Sequence, residues 1–145
     1  MMQAPPFSDT DREQIIAAIR AAEMATSGEV RVHIEQNCPE AEVMERAKQV
    51  FAQLGMNQTE LKNGVLFYLA FGDRKFAVLG DQGIDERVPV DFWKDIRDLL
   101  RTHFAKDAFG EGLSKAIELA GQQLKLYFPR QDNDTNELSD DISFG

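Results

Sequence analysis

Residues 63–80 read NGVLFYLAFGDRKFAVLG, and this stretch decides the fold. Residues 63–71 are apolar at nearly every position, as a strand buried on both faces requires. Gly72 and Asp73 then supply tight-turn chemistry, and Arg74 to Leu79 returns as a second extended segment. The stretch therefore predicts a hairpin whose first strand lies at the centre of a sheet.

Upstream, residues 29–35, EVRVHIE, alternate strictly. Val30, Val32 and Ile34 face one way; Arg31, His33 and Glu35 face the other. Such a strand has one wet or lightly covered face and belongs near a sheet edge. Between it and the hairpin, Val43, Met44, Ala47, Val50, Phe51 and Leu54 recur at helical spacing, and Gly55 stops the helix. Strand, helix and strand make a βαβ unit, so the two strands run parallel through a right-handed crossover. Before this unit, Ser8 or Thr10 caps a helix carrying Ile15, Ile16, Ile19 and Ala22 on one face. After the hairpin, a helix opening near Pro89 carries Phe92, Trp93, Ile96, Leu99, Leu100 and Phe104, and another runs from about Phe109 to Phe128. The expected architecture is a three-layer α/β/α sandwich over residues 8–130: a small mixed sheet with helices on both faces.

Residues 1–7 read as a flexible arm, and residues 131–145 as a structureless acidic tail. The tail, QDNDTNELSDDISFG, holds five acids and no base. The formal charge is -9, but the first 130 residues hold 20 acids against 16 bases, a balance of -4. An acidic chain is a poor partner for nucleic acid or for anionic membranes. One cysteine, Cys38, excludes an internal disulfide. Neither an export signal nor an apolar run of the roughly 18 residues a membrane span needs is evident, so a soluble cytoplasmic protein is expected.

The topology gathers particular residues. Ser27 to Glu29, Glu60, Asn63 and the segment GDQGIDERVPVD (80–91) fall at one end of the sheet, which is therefore rich in carboxylates. Hard cations such as calcium or magnesium take oxygen ligands, and a bound cation removes the mutual repulsion of crowded carboxylates. Glu29, Asn63, Asp81, Asp85 and Glu86 are the candidate ligands. The competing reading is a solvated loop, with Asp81 holding a turn and Asp85 or Asp91 favouring the start of a helix. DNDTNE at 132–137 fails as an EF-hand, because positions six and twelve are Glu137 and Ser143.

The ordered set SGEVRVHIE, KNGVLFYLAFGDRKFAVLGDQGI and FGEGLSKAIELAGQQL resembles the TPM-domain family, which includes thylakoid photosystem-II repair proteins, nematode receptor-auxiliary proteins and many bacterial proteins. The resemblance covers residues 8–128. It implies an α/β/α sandwich, divalent-cation binding near an acidic groove, and the acid phosphatase activity attributed to plant members. Glu29, Asn63, Asp73, Arg74, Asp81 and Asp85 stand at the matching positions. The acidic tail stands where many members carry a membrane anchor.

No cysteine-phosphatase loop, aspartyl-phosphatase motif or P-loop lysine motif occurs. Hydrolysis would have to be metal-assisted, with Asp73 or Asp85 as base. The topology places Asp73 and Arg74 at the far end from Asp81, which ranks Asp81, Glu29 and Asn63 above Asp73; Arg74 reads as an ion-pair residue at a strand end. His33 reads as a polar-face strand residue. The favoured function is a cation-binding domain with a binding or assembly role; the alternative is a metal-dependent acid phosphatase acting on phosphate monoesters. A protein partner reached through Ile142 and Phe144 of the tail is a further expectation.

Overall fold

A computed structural model of the chain describes residues 8–130 and 142–145. The arm over 1–7 and most of the tail, 131–141, lie outside the described residues. The elements follow the order α1 (Asp9–Ala25), β1 (Glu29–Glu35), α2 (Val43–Gln53), a 3₁₀ turn (Met56–Gln58), β2 (Gly64–Ala70), β3 (Lys75–Gly80), α3 (Gln82–Arg87), α4 (Lys94–Phe104), α5 (Phe109–Leu124) and β4 (Ser143–Phe144).

The sheet order is β3-β2-β1-β4. β1 and β2 are parallel, with Glu29 opposite Gly64 and Glu35 opposite Ala70. β2 and β3 are antiparallel, with Val65 opposite Gly80. The βαβ unit and hairpin thus stand as the sequence predicts. All seven residues of β2 are buried, because β2 is central and covered on both faces. On one face Val30, Val32, Ile34, Val65, Phe67, Leu69 and Val78 meet α1, α4 and α5. On the other, Leu66, Tyr68, Ala70 and Ala77 meet α2 through Ala47, Val50 and Phe51. This is the three-layer α/β/α sandwich.

α1 opens on a complete capping box: Ser8 accepts from the Asp11 amide at 3.2 Å, and the Asp11 carboxylate accepts from the Ser8 amide at 3.0 Å. Its inward residues Ile15, Ala18, Ile19 and Ala22 pack along α5, where Gly121 admits Ala22 closely.

Three expectations are corrected. First, the acidic segment is not a loop. Gln82–Arg87 form α3, and Asp81 is its N-cap, accepting from the Gln82 amide at 2.7 Å. Second, the following helix opens at Lys94 rather than near Pro89, with turns between. Third, the last residues are not structureless. Ser143 and Phe144 pair parallel to His33 and Ile34, and the Gly145 amide donates to the Ile34 carbonyl at 2.9 Å. Ile142 is buried in the same core cluster as the inward residues of α1 and α5, while Phe144 lies under the Arg12 guanidinium. An apolar residue every second position is enough for a short edge strand when an unpaired edge is available. That edge is β1, whose Val30 amide is met by the Glu23 carboxylate at 3.3 Å.

Candidate functional site

Strand register brings the candidate ligands to one sheet end. The Glu29 amide donates to the Asn63 carbonyl at 3.2 Å, and the Asp81 amide donates to the Gly64 carbonyl at 2.9 Å. The starts of β1 and β2 and the end of β3 are therefore sewn together. The Asn63 side-chain amide nitrogen donates to the Ser27 carbonyl at 3.1 Å, which leaves its carbonyl oxygen as the atom of ligand character. α3 is drawn onto the same end by the Gly83 amide, 2.8 Å from the Lys62 carbonyl. Gly83 has to be glycine here: a Cβ would collide with the carbonyl oxygens of Leu61 and Lys62.

Glu29 and Asn63 are buried, at 4% and 2% exposure. One oxygen of Asp81 caps α3; the other, Oδ2, is buried and has no hydrogen-bond partner among the described residues. A desolvated carboxylate oxygen without a donor is costly unless a proton or a cation meets it. Asp85 follows one helical turn later. Burial raises its carboxyl above the ordinary value; the Trp93 indole N–H opposes that shift, and the neighbouring Asp81 charge adds to it. Glu86 instead lies beside Gln82, whose amide donates to it at 3.0 Å on the exposed side of α3. Among the described residues no three His, Cys, Asp or Glu side chains converge as a metal-holding group. The candidate carboxylates Glu29, Asp81, Asp85 and Glu86 therefore do not converge on one point.

Two basic groups near this end, Lys62 and Arg87, are engaged. Lys62 Nζ donates to the Asn57 carbonyl at 2.6 Å. Arg87 lies over the Phe128 ring, 4.8 Å from its centroid, and donates to the Tyr127 carbonyl at 3.4 Å.

Asp73 and Arg74 sit at the opposite end, as the topology requires. The Asp73 carboxylate accepts from the Cys38 amide at 2.6 Å and the Asn37 side chain at 3.1 Å, and the Cys38 amide chiefly holds it below its ordinary pKa. Arg74 pairs with Asp107 at 2.6 Å.

A second polar cluster, missed by the reading of β1 as half wet, lies under α2. Arg31, His33 and Glu35 do alternate away from the core, but Arg46 of α2 reaches over Glu35 and Ser143 of β4 meets His33. His33 is 6% exposed and Glu35 5%. Glu35 accepts from Arg46 Nε at 2.8 Å and Nη2 at 2.9 Å, and from the Tyr68 hydroxyl. His33 lies 3.5 Å from Glu35 through Nε2 and 2.7 Å from Ser143 Oγ through Nδ1. Two signals pointed to it: Arg46 falls on the inward stripe of α2, three residues after Val43 and four before Val50, and Tyr68 brings a hydroxyl into an otherwise apolar strand.

Burial holds His33 below its ordinary value of 6.5, with Arg46 and Arg31 adding to the depression and Glu35 opposing it. Glu35 is also held low: Arg46 and Tyr68 together outweigh the upward push of burial. Both groups therefore bind fewer protons folded than unfolded. Their contribution is complete above pH 6.5 and declines as pH falls, through His33 first and then Glu35 below 4.5. The expected result is a fall in the denaturation midpoint between pH 7 and 5 that His33→Gln largely abolishes. A midpoint flat over that interval in the parent protein would contradict it.

The family model for the TPM domain matches residues 2–123. The chain belongs to the TPM-domain family. This TPM domain is 42% identical in sequence to the BA42 protein of the psychrophilic bacterium Bizionia argentinensis, known from an NMR structure; the match covers 96% of this chain and 95% of that one, with a TM-score of 0.90. It also shares its fold with the N-terminal domain of a P. gingivalis protein at 22% identity, covering 90% of this chain and 85% of that one, TM-score 0.71. The N-terminal domain of the cg2496 protein from Corynebacterium glutamicum is similar at 12% identity, covering 92% and 77%, TM-score 0.66. No curated protein matches this TPM domain. None of its described helices is long and apolar enough to cross a membrane.

Proposed function

We propose that this TPM domain binds a divalent cation, calcium or magnesium, at the end of the sheet formed by Glu29, Asn63 and Asp81, and serves a binding or assembly role. The observation that carries the reading is the buried, donorless Oδ2 of Asp81. It lies where the strand register also brings the Asn63 carbonyl, and where burial raises the Asp85 carboxyl above its ordinary value. A cation would meet Asp81 Oδ2, hold Asp85 ionised, and pin α3 to the β1–β2 edge. With few protein ligands and the remainder water, the affinity belongs on the order of 10⁻⁴ to 10⁻³ M.

Hydrolysis of phosphate monoesters is the second reading. Asp85, whose carboxyl burial raises above its ordinary value, is the candidate proton carrier. Phosphoryl transfer also needs fixed positive charge on the phosphoryl oxygens. Lys62 and Arg87 are committed to Asn57 and to Phe128 and Tyr127, so the geometry favours binding over catalysis. A protein partner taken through Ile142 and Phe144 would have to lift β4 from β1.

Calcium titration of ¹⁵N-labelled protein, with magnesium for comparison, tests the site. Saturable shifts centred on Glu29, Asn63 and Asp81 to Asp85 are expected. Shifts confined to residues 131–141, or none, would remove it. In parallel, turnover of p-nitrophenyl phosphate that is lost on chelation and in Asp81→Asn would move the reading to the enzyme.

A further inference from the structure

At the sheet end away from the acidic site, residues of β2, β3, α4 and α5 line an open cavity of about 180 Å³. Its walls are Leu69, Phe76, Phe104 and Phe109. The rings are ordered by their own contacts: Phe76 meets Phe104 edge to face at 5.3 Å, and Phe104 meets Phe109 at 5.2 Å. The rest of the lining is different in character. It comes from the exposed residues Arg74, Arg101 and Ala105, whose arginines bring positive charge to the rim.

We infer that this cavity is a binding site for a small carboxylate carrying one aromatic ring or a short branched acyl group. The apolar part of such a molecule enters the phenylalanine walls, and its carboxylate meets the arginines. An apolar cavity of roughly 150 Å³ is enough to take a benzene ring, so the space here fits one ring and not two. Guanidinium groups match carboxylates in a planar, bidentate way. The molecule carries a net charge of -9, so a paired-arginine mouth over an aromatic floor is not a sample of its average surface.

The mouth carries a further peculiarity. Arg74 and Asp107 both hold left-handed backbone conformations, with φ of 55° and 59°, and they pair with each other. Non-glycine residues adopt that region at a cost. Their pair joins the β2–β3 turn to the α4–α5 turn across the cavity mouth. Asp107 therefore occupies the guanidinium that an incoming carboxylate would use, and Asp98 does the same for Arg101 at 3.3 Å. Both pairs are solvent-exposed, so an incoming carboxylate with a buried ring displaces them at small cost. Asp73 does not compete, because Cys38 and Asn37 hold it on the side of the β1–α2 connection.

The test is an NMR titration of ¹⁵N-labelled full chain with sodium phenylacetate, phenylacetamide and sodium acetate. Phenylacetate is expected to give saturable shifts clustered on Leu69, Arg74, Phe76, Phe104 and Phe109. The neutral amide and the ringless acetate are each expected to bind at least about tenfold more weakly, since one loses the charge contact and the other the ring. Asp107→Asn keeps a residue that tolerates the left-handed region and removes the competing charge, so phenylacetate should bind several-fold tighter. Arg74→Gly relieves the backbone while removing the guanidinium, so it should bind more weakly without a lower melting temperature. Ala105→Trp, on an exposed position, should fill the mouth and abolish the shifts while the spectrum elsewhere is kept. No saturable response up to about 10 mM phenylacetate, a range that reaches affinities too weak to matter, would overturn the site. So would equal binding of acid and amide, or shifts that persist in Ala105→Trp.

Discussion

Replacing Glu35 with alanine is expected to lower the unfolding free energy by roughly 3–5 kcal/mol, the usual cost of leaving one partner of a buried ion pair alone. Glu35 and Arg46 are well covered, with side-chain exposures of 6% and 16%. Truncation would leave the guanidinium without its bidentate acceptor and remove the Glu35 carboxylate from the Tyr68 hydroxyl. Tyr68 is 1% exposed, so water does not readily replace the carboxylate. Burial and the Glu35 charge together push the Tyr68 hydroxyl well above its ordinary value, so it remains a donor throughout the accessible range. The pair variant Glu35→Leu with Arg46→Met should recover most of the loss, because it removes both charges together. Urea denaturation followed by circular dichroism measures it. A loss below about 1 kcal/mol for Glu35→Ala would place the network among exposed ion pairs of little worth.

The opposite face of the same sheet should respond as strongly for another reason. Phe67 is 1% exposed, on the side of the sheet covered by α1 and α5, and is opposed by Val32 on β1 and Val78 on β3. Phe67→Ala removes a ring from the middle of this layer, and a core phenylalanine truncation costs about 3–5 kcal/mol. The site at the sheet end should survive, since Glu29, Asn63 and Asp81 are fixed by backbone pairing at the strand termini rather than by this ring. The expected result is a lower denaturation midpoint with an unchanged denaturant slope and unchanged calcium shifts. A loss below about 1.5 kcal/mol would mean the layer collapses around the gap, contrary to a close-packed core.

The two faces also show how far the sequence could be read. The hairpin and the βαβ unit were legible because NGVLFYLAF and EVRVHIE carry their periods without ambiguity. The acidic end of the sheet followed from strand direction alone. The α3 helix was harder, since two glycines in GDQGIDER resemble turn chemistry; the signs in its favour were Asp81 at an N-cap position and Gln82 four residues before Glu86. β4 was hidden because the alternation of Ile142 and Phe144 is too short to stand out, and the pairing depends on an edge contributed by β1 more than a hundred residues earlier. The Glu35 network was hidden by the same alternation that revealed the strand: a polar face is read as wet, and only Arg46 of α2 and Ser143 of β4 decide otherwise. The arginine-rimmed cavity lay beyond reach because it joins the β2–β3 turn to the α4–α5 turn through two backbone conformations that composition does not announce.

Calcium binding by the parent protein and by Asp81→Asn, compared by calorimetry at low salt, tests the cation site most directly. Asparagine keeps the cap of α3, because its side-chain oxygen still accepts from the Gln82 amide, and it removes the charge at the buried oxygen. The parent should bind with a dissociation constant on the order of 10⁻⁴ to 10⁻³ M, and the variant at least about tenfold more weakly with its melting temperature kept. Equal binding by the two proteins, or none by the parent, would contradict a cation at Asp81 and leave this end of the sheet as a capped helix start.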